Sequence, residues 1–105
     1  QAREDAARQA LLADLGEADA RLASARRSLA VHRNDLLPTA RRMVETTEAA
    51  YEAGVAALDQ VLQARGTLLD LAEKVEELRQ KELLAVIDRL EAAGSRLAWN
   101  APESR

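Results

Sequence analysis

Apolar and small residues recur at every seventh position through the first half of the chain. The series starts at Leu15, and a second series of mostly small residues, which includes His32, lies three positions after it. This pattern predicts a long helix that packs along a coiled-coil-like seam, and the small residues of the second series let a neighbouring backbone approach closely. The predicted seam residues are Leu15, Leu22, Leu29, Leu36, Met43 and Ala50.

Both halves of the chain carry apolar stripes that are wider than one seam. Because a pair of helices covers only part of such broad stripes, we expect oligomerisation or docking onto further helices. In the first half, the additional row is Ala23, Ala30, Leu37, Val44 and Tyr51. In the second half, the stripe is Val61, Leu62, Leu68, Leu69, Ala72, Val75, Leu78, Leu83, Val86, Ile87 and Leu90.

Pro38 is the strongest interruption of the first helical pattern. A proline inside a helix removes one backbone donor and crowds the carbonyl four residues earlier, at a cost of about 3 kcal/mol. The alternative is a break, with Asn34 or Asp35 capping a new helix that starts near the proline. The heptad register passes from Leu29 to Met43 without a slip, so the pattern favours a kinked continuous helix.

A turn is predicted at Gly54, because a glycine just after a helix commonly takes the left-handed position that ends it. Asp59 suits the first turn of the next helix, where its charge meets the positive end of the helix dipole. We expect Gly94 to end that helix in the same way. The predicted fold class is all-α, a long antiparallel α-helical hairpin. Its parts are a long helix over 1–53, a tip turn over 54–57, a return helix over 58–94 and a frayed tail over 95–105.

Composition supports helices and argues against a β fold. The chain has 105 residues with 23 Ala and 17 Leu, but no Phe, one Tyr and one Trp. Four Gly and two Pro are too few for the turns of a many-stranded sheet. The net charge is −3, and basic and acidic residues are mixed throughout, so we expect no nucleic-acid partner. No stretch without a charge exceeds six residues, far below the ~18 apolar residues of a membrane span.

The sequence contains no recognisable catalytic, cofactor or metal site. His32 is the only histidine, and a lone histidine on a seam is more often a packed side chain than a ligand. There is no cysteine, and no serine is spaced with a histidine and a carboxylate as nucleophilic catalysis requires. An acidic run from Glu73 to Glu82 is interleaved with basic residues and is typical of a solvated helix face. We therefore expect no enzymatic activity and no cofactor.

Three segments, in this order and spacing, resemble the C-terminal helical repeat of the TolC-like outer-membrane efflux factors. They are the Leu-Leu-Pro segment Leu36–Ala40, the Tyr-x-x-Gly turn within Ala50–Gly54 and the helix start Leu58–Ala64. The residues of these segments are most similar to those of the branch associated with heavy-metal resistance and other cation efflux. The resemblance covers roughly residues 10–95.

The resemblance implies a passive exit duct rather than an enzyme. In this family three protomers form a β-barrel in the outer membrane, and an α-helical tunnel continues it through the periplasm. The chain would be one periplasmic hairpin of that tunnel, with a periplasmic adaptor and an inner-membrane pump as partners. It begins at Gln1 inside a helical pattern, so we expect an excised piece of a larger protein.

The resemblance also assigns candidate residues at the tip, which in the family forms the aperture and the adaptor-docking surface. Tyr51 and Gly54 match the family's turn. Two carboxylates often follow the turn in the family, and their positions here hold Gln60 and Gln63. A ring of neutral glutamines would lack the strong cation attraction of an aspartate ring. Ala56 stands where some members carry a basic residue.

Two other hypotheses remain open. One is the α-hairpin of a periplasmic adaptor (membrane fusion) protein, whose tip usually presents a spaced Arg, Leu and Ser or Thr pattern that Ala56, Ala57 and Leu58 do not supply. The other is a generic coiled-coil scaffold or dimerisation module, which the strict heptad register favours. It leaves Pro38 and the turn at Gly54 without a role.

Overall fold

Four helical elements make up the part of the chain that the structure describes. The structure, a computed structural model, describes the backbone of residues 1–100 and the side chains of residues 1–95 and 97. Helix α1 spans Ala2–Val31, a π-helix spans His32–Leu36, α2 spans Leu37–Glu52, and α3 spans Leu58–Asn100. No strand occurs within the described backbone. The prediction of an all-helical chain with two long helices is confirmed.

The chain passes from α1 through the π-helix into α2 without leaving the helical conformation. Leu37 donates its backbone N–H to the carbonyl of His32, five residues earlier, so this turn is wider than an α-helical turn. Pro38 follows at once, in the first turn of α2. The wide turn accommodates a residue without an N–H, and the Thr39 hydroxyl donates to the carbonyl oxygen of Asp35 at 2.8 Å.

The π-helix shifts the buried row of this helix by one residue. The sequence register leads from Leu29 to Leu36 and Met43, but these last two side chains are 40% and 57% exposed. Leu37 and Val44 are buried instead. A wide turn takes up one extra residue, which rotates everything after it by about 100° relative to a continuous α-helix. The expectation that the register passes unchanged through this segment is therefore wrong.

The chain divides into two compact units, and each contains segments of both long helices. The tip unit is residues 27–79, and the base unit is residues 1–26 with 80–105. In the tip unit a core cluster joins residues before and after the turn. Its buried members are Leu29, Leu37, Val75 and Leu78, with Leu68, Leu71 and Ala72 packed against them.

Within its described residues, the base unit has a thin core and two ion pairs between its helical segments. Arg89 Nε donates to Asp19 Oδ1 at 2.6 Å, and Arg26 Nε lies 3.6 Å from Glu82 Oε2. From the first pair to the second, the residue number rises by seven on one segment and falls by seven on the other, so the two segments run antiparallel. Among the described side chains of this unit, Ala18, Leu22 and Ala85 are buried.

We expected α3 to end at Gly94. It continues instead to Asn100. A glycine terminates a helix by taking a positive φ, and among the described residues Gly54 alone does so. An interior glycine costs a helix roughly 1 kcal/mol, too little by itself to end it. The first part of the predicted tail is thus helical, and its remainder, residues 101–105, lies outside the described residues.

Candidate functional site at the helical tip

Backbone hydrogen bonds close the turn between α2 and α3. Gly54 has a φ of 79° and donates its N–H to the Tyr51 carbonyl at 3.0 Å. Val55 donates to the Ala50 carbonyl at 2.9 Å. These two bonds form a Schellman motif, which satisfies carbonyls that the end of α2 would otherwise leave unpaired. Gly54 is therefore required for its backbone conformation.

The side chain of Gln60 caps the N-terminus of α3. Its Oε1 accepts the backbone N–H of Ala57 at 3.0 Å, which is the returning half of a capping box. Its own backbone N–H donates to the Ala57 carbonyl at 3.1 Å. Asp59 lies in the same first turn, where its negative charge is favoured by the helix dipole. Gln60 thus has a structural role at the tip, whatever else it contacts.

One side of the tip unit carries an open groove of about 480 Å³ without a charged side chain, the uncharged groove. It brings together three of the expected tip residues, Ala56, Gln60 and Gln63. Met43 lies there because the register shift turns it out of the core. With 31% of the chain charged, an uncharged surface of this size stands out from the rest. Its lining is Ala40, Met43, Thr46, Thr47, Ala50, Ala56, Gln60, Gln63, Ala64 and Thr67.

Tyr51 lies apart from the glutamines, in a second groove that we call the tyrosine groove. Arg65 crosses it, with Nε donating to Glu48 Oε2 at 2.8 Å. Each groove is lined from both helices, so the two lie on the two sides of the helix pair. The five expected tip residues therefore do not form one site. The lining of the tyrosine groove is Glu48, Tyr51, Glu52, Leu58, Val61, Leu62 and Arg65.

The base unit also has two unlike sides. One holds a groove with carboxylates, and the opposite flank of α3 exposes Leu83, Leu90 and Leu97 at heptad spacing. At about 100° per residue, Leu90 and Asp88 point to different flanks of α3. We call these three leucines the leucine row. The carboxylate groove is lined by Leu11, Asp14, Glu17, Arg21, Asp88, Glu91, Ala92 and Ser95.

Sequence reasoning placed Leu83 and Leu90 in the inner stripe of the same helix and Leu97 in the predicted tail. The signal for separating the leucine row from that stripe is present, because Leu62 and Leu69 in the tip unit share the seven-residue phase of Leu83, Leu90 and Leu97. All five are exposed, whereas Val75 and Leu78 are buried. The second half of the chain therefore carries two apolar rows with different neighbours.

His32 donates from Nδ1 to the Ser28 carbonyl at 2.8 Å, one helical turn earlier. Among residues with described side chains, no group of three or more His, Cys, Asp or Glu is arranged to hold a metal ion. Within the same residues, no buried side-chain polar atom lacks a hydrogen-bond partner. None of the described helices has the length and apolarity needed to cross a membrane.

The turn glycine gives a sharp test of this tip. We expect Gly54→Val to lower the free energy of unfolding by about 2 kcal/mol, since a β-branched residue is strained at positive φ. A Cβ atom at this position would meet nothing within 4 Å, so the expected loss comes from the backbone conformation. Urea unfolding followed by circular dichroism measures it.

Gly66→Ala is the matched control, because Gly66 lies inside α3 with equally open space around it. It should raise the free energy of unfolding by about 0.5–1 kcal/mol, since alanine is the better helix former. If Gly54→Val leaves the free energy of unfolding unchanged or raises it, the left-handed conformation of Gly54 is not present in solution.

Comparison with known proteins gives this chain no relative: no family model, no curated protein and no solved structure matches it.

Proposed function

We propose that the chain is a helical-hairpin segment that packs side by side with further helices, as part of the wall of a TolC-like outer-membrane efflux duct. In this proposal it is the periplasmic part of a trimeric duct. A periplasmic adaptor connects its tip to an inner-membrane pump, and the exported substrate is a metal cation or a drug. The Leu-Leu-Pro, Tyr-x-x-Gly and helix-start segments support this assignment by their order.

The observation that carries the proposal is the leucine row of the base unit. Leu83, Leu90 and Leu97 are exposed in the chain by itself and keep the spacing of a coiled-coil seam. A row of exposed leucines at this spacing is typical of a helix face that contacts another helix. The carboxylate groove on the other flank gives the helix pair one side for packing and one side for water.

The tip supports an end-on contact with a partner helix. The uncharged groove offers small side chains for close approach and the amides of Gln60 and Gln63 for hydrogen bonds. A partner held there is recognised by shape and neutral polar groups, so salt should weaken its binding only slightly. These properties suit the docking of an adaptor hairpin.

A generic scaffold or dimerisation module is the second candidate, because the leucine row suits any coiled-coil partner. The adaptor hairpin remains a third. The sequence that flanks this segment in its gene separates the three. We expect amphipathic strands and a second, similar helical repeat. A lipoyl-like or adaptor β-barrel domain would assign the adaptor, and long continuous heptads on both sides would assign the scaffold.

The same glycine substitution tests the tip in the full-length protein. We expect Gly54→Val to weaken adaptor-dependent efflux and to leave trimer formation intact, since the leucine row is untouched. Gly66→Ala is again the control and should leave efflux unchanged. Normal efflux with Gly54→Val would contradict the docking role of the tip.

A further inference from the structure

After the π-helix, the apolar residues come in adjacent pairs at heptad spacing. The first two pairs are Leu36 with Leu37 and Met43 with Val44. In each pair the second residue is buried and the first is exposed. In the third pair, at the tip, Ala50 is half-buried and Tyr51 is 45% exposed, so the first two pairs alone show this difference in burial. The segment thus carries two apolar rows, one residue apart, of which one fills the core.

The exposed row, which contains Leu36 and Met43, is the one that a regular α-helix would bury. Without the π-helix, the register of Leu29 leads directly to Leu36 and then to Met43. At two of the three buried positions of α2 the other row offers a similar side chain, Leu36 for Leu37 and Met43 for Val44, while Thr39 would replace Ala40 at the third. Apolar substitutions of similar volume are the ones that protein cores tolerate best. Packing therefore discriminates weakly between the two rows.

Local backbone chemistry makes the selection instead. In an uninterrupted α-helix the ring of Pro38 would crowd the carbonyl of Asn34 and leave it without a donor. The wide turn at His32–Leu36 avoids this arrangement, because its hydrogen bond runs from Leu37 to His32. Pro38 thus favours the π-helix, and the π-helix favours the row of Leu37 and Val44.

We propose that segment Leu37–Glu52 has two packing registers, one residue apart, and that the π-helix with Pro38 is the switch that selects the observed one. The second register is an uninterrupted α-helix that buries Leu36 and Met43. Exchange between the two rotates α2 by about 100° about its axis.

The switch changes the surfaces of the tip unit. In the second register Met43 leaves the uncharged groove and enters the core, while Val44 turns outward. Glu48 moves away from Arg65, so the ion pair across the tyrosine groove is broken. A change at His32–Leu36 thereby alters both grooves, although neither groove is lined by these five residues.

Thiol labelling tests the two registers, because the chain has no cysteine of its own. Met43→Cys and Val44→Cys are made separately in the full chain, in three backgrounds. These are the natural sequence, Pro38→Ala, and Pro38→Ala with Asn34 deleted. In the natural background we expect Met43→Cys to react at least about tenfold faster than Val44→Cys, because only the latter is protected by the core.

The two other backgrounds are expected to act in opposite directions. Pro38→Ala removes the obstacle to a regular helix, so the ratio of the two labelling rates should fall towards one or invert. Deleting Asn34 as well removes the extra residue, so a regular α-helix then keeps Val44 in the core and the ratio returns to its natural value. Circular dichroism confirms that each variant stays helical.

The remaining outcomes overturn the proposal. An unchanged ratio in Pro38→Ala means that the proline does not select the register. A ratio that stays low after the Asn34 deletion means that the substitution loosened the core without shifting it. Equal labelling of the two positions in the natural background means that the observed register is not maintained in solution.

Discussion

Leu29→Ala is expected to lower the free energy of unfolding by about 2–4 kcal/mol, whereas Leu36→Ala should cost less than about 1 kcal/mol. Leu29 is 4% exposed and packs in the tip-unit core with Val75 and Leu78. Its truncation leaves a cavity in a core only a few side chains thick. Leu36 is 40% exposed, so little apolar contact is lost there.

Urea unfolding followed by circular dichroism measures both substitutions. The pair is informative because the heptad pattern alone assigns Leu29 and Leu36 the same role and therefore the same cost. Val44→Ala and Met43→Ala repeat the comparison one heptad later, with the larger loss at Val44, which is buried. Equal losses at Leu29 and Leu36 would mean that the π-helix does not form in solution.

Features with a local cause were predictable from the sequence. Alanine and leucine favour helix wherever they pack, and heptad spacing predicts helices that share a seam. The turn followed from Gly54, because a positive φ at the end of a helix strongly favours glycine. The Schellman bonds of Gly54 and Val55 agree with that reasoning.

Features that depend on a choice between similar alternatives were not predictable. Leu36 and Leu37 are chemically the same, so hydropathy could not tell which one the π-helix buries. The leucine row of α3 is likewise distinguished from the inner stripe only by the partner helix. Gly94 was assigned as a terminator by analogy with Gly54, but a glycine ends a helix only where the following chain turns away.

At the candidate site, the sequence likewise did not predict on which side of the helix pair Tyr51, Gln60 and Gln63 lie. The family resemblance assigned all three to one tip surface that serves as aperture and docking site. The closing of the turn places Tyr51 in one groove, and Gln60 and Gln63 in the other. Residues that are close in sequence around a tight turn can lie on opposite sides of the helix pair, because successive helical positions face different directions.

The second large effect is expected on self-association. We expect the chain to associate with copies of itself, and Leu90→Glu to weaken that association. Loss of a buried leucine costs about 1.5–3 kcal/mol, and each 1.4 kcal/mol is tenfold in affinity. Leu90 is 61% exposed in the single chain, so the substitution should leave its helices intact. Sedimentation equilibrium over a range of concentrations measures the association.

Ser95→Glu is the matched control, because it adds the same charge to the same helix on the carboxylate-lined flank. It should leave association unchanged. If Ser95→Glu weakens association as strongly as Leu90→Glu, then net charge, and not the leucine row, governs it. A chain that sediments as a monomer at every concentration would contradict the contact assigned to this row.

Association through the leucine row is common to the duct and to the scaffold, so Leu90→Glu by itself does not separate them. Comparing Leu90→Glu with Gly54→Val in the full-length protein distinguishes the duct from the scaffold. In a scaffold, Leu90→Glu abolishes function and Gly54→Val leaves it intact, because the turn contacts no partner. In a duct both variants lose efflux, but only Leu90→Glu disturbs the trimer, since assembly depends on the helix flank and docking depends on the turn.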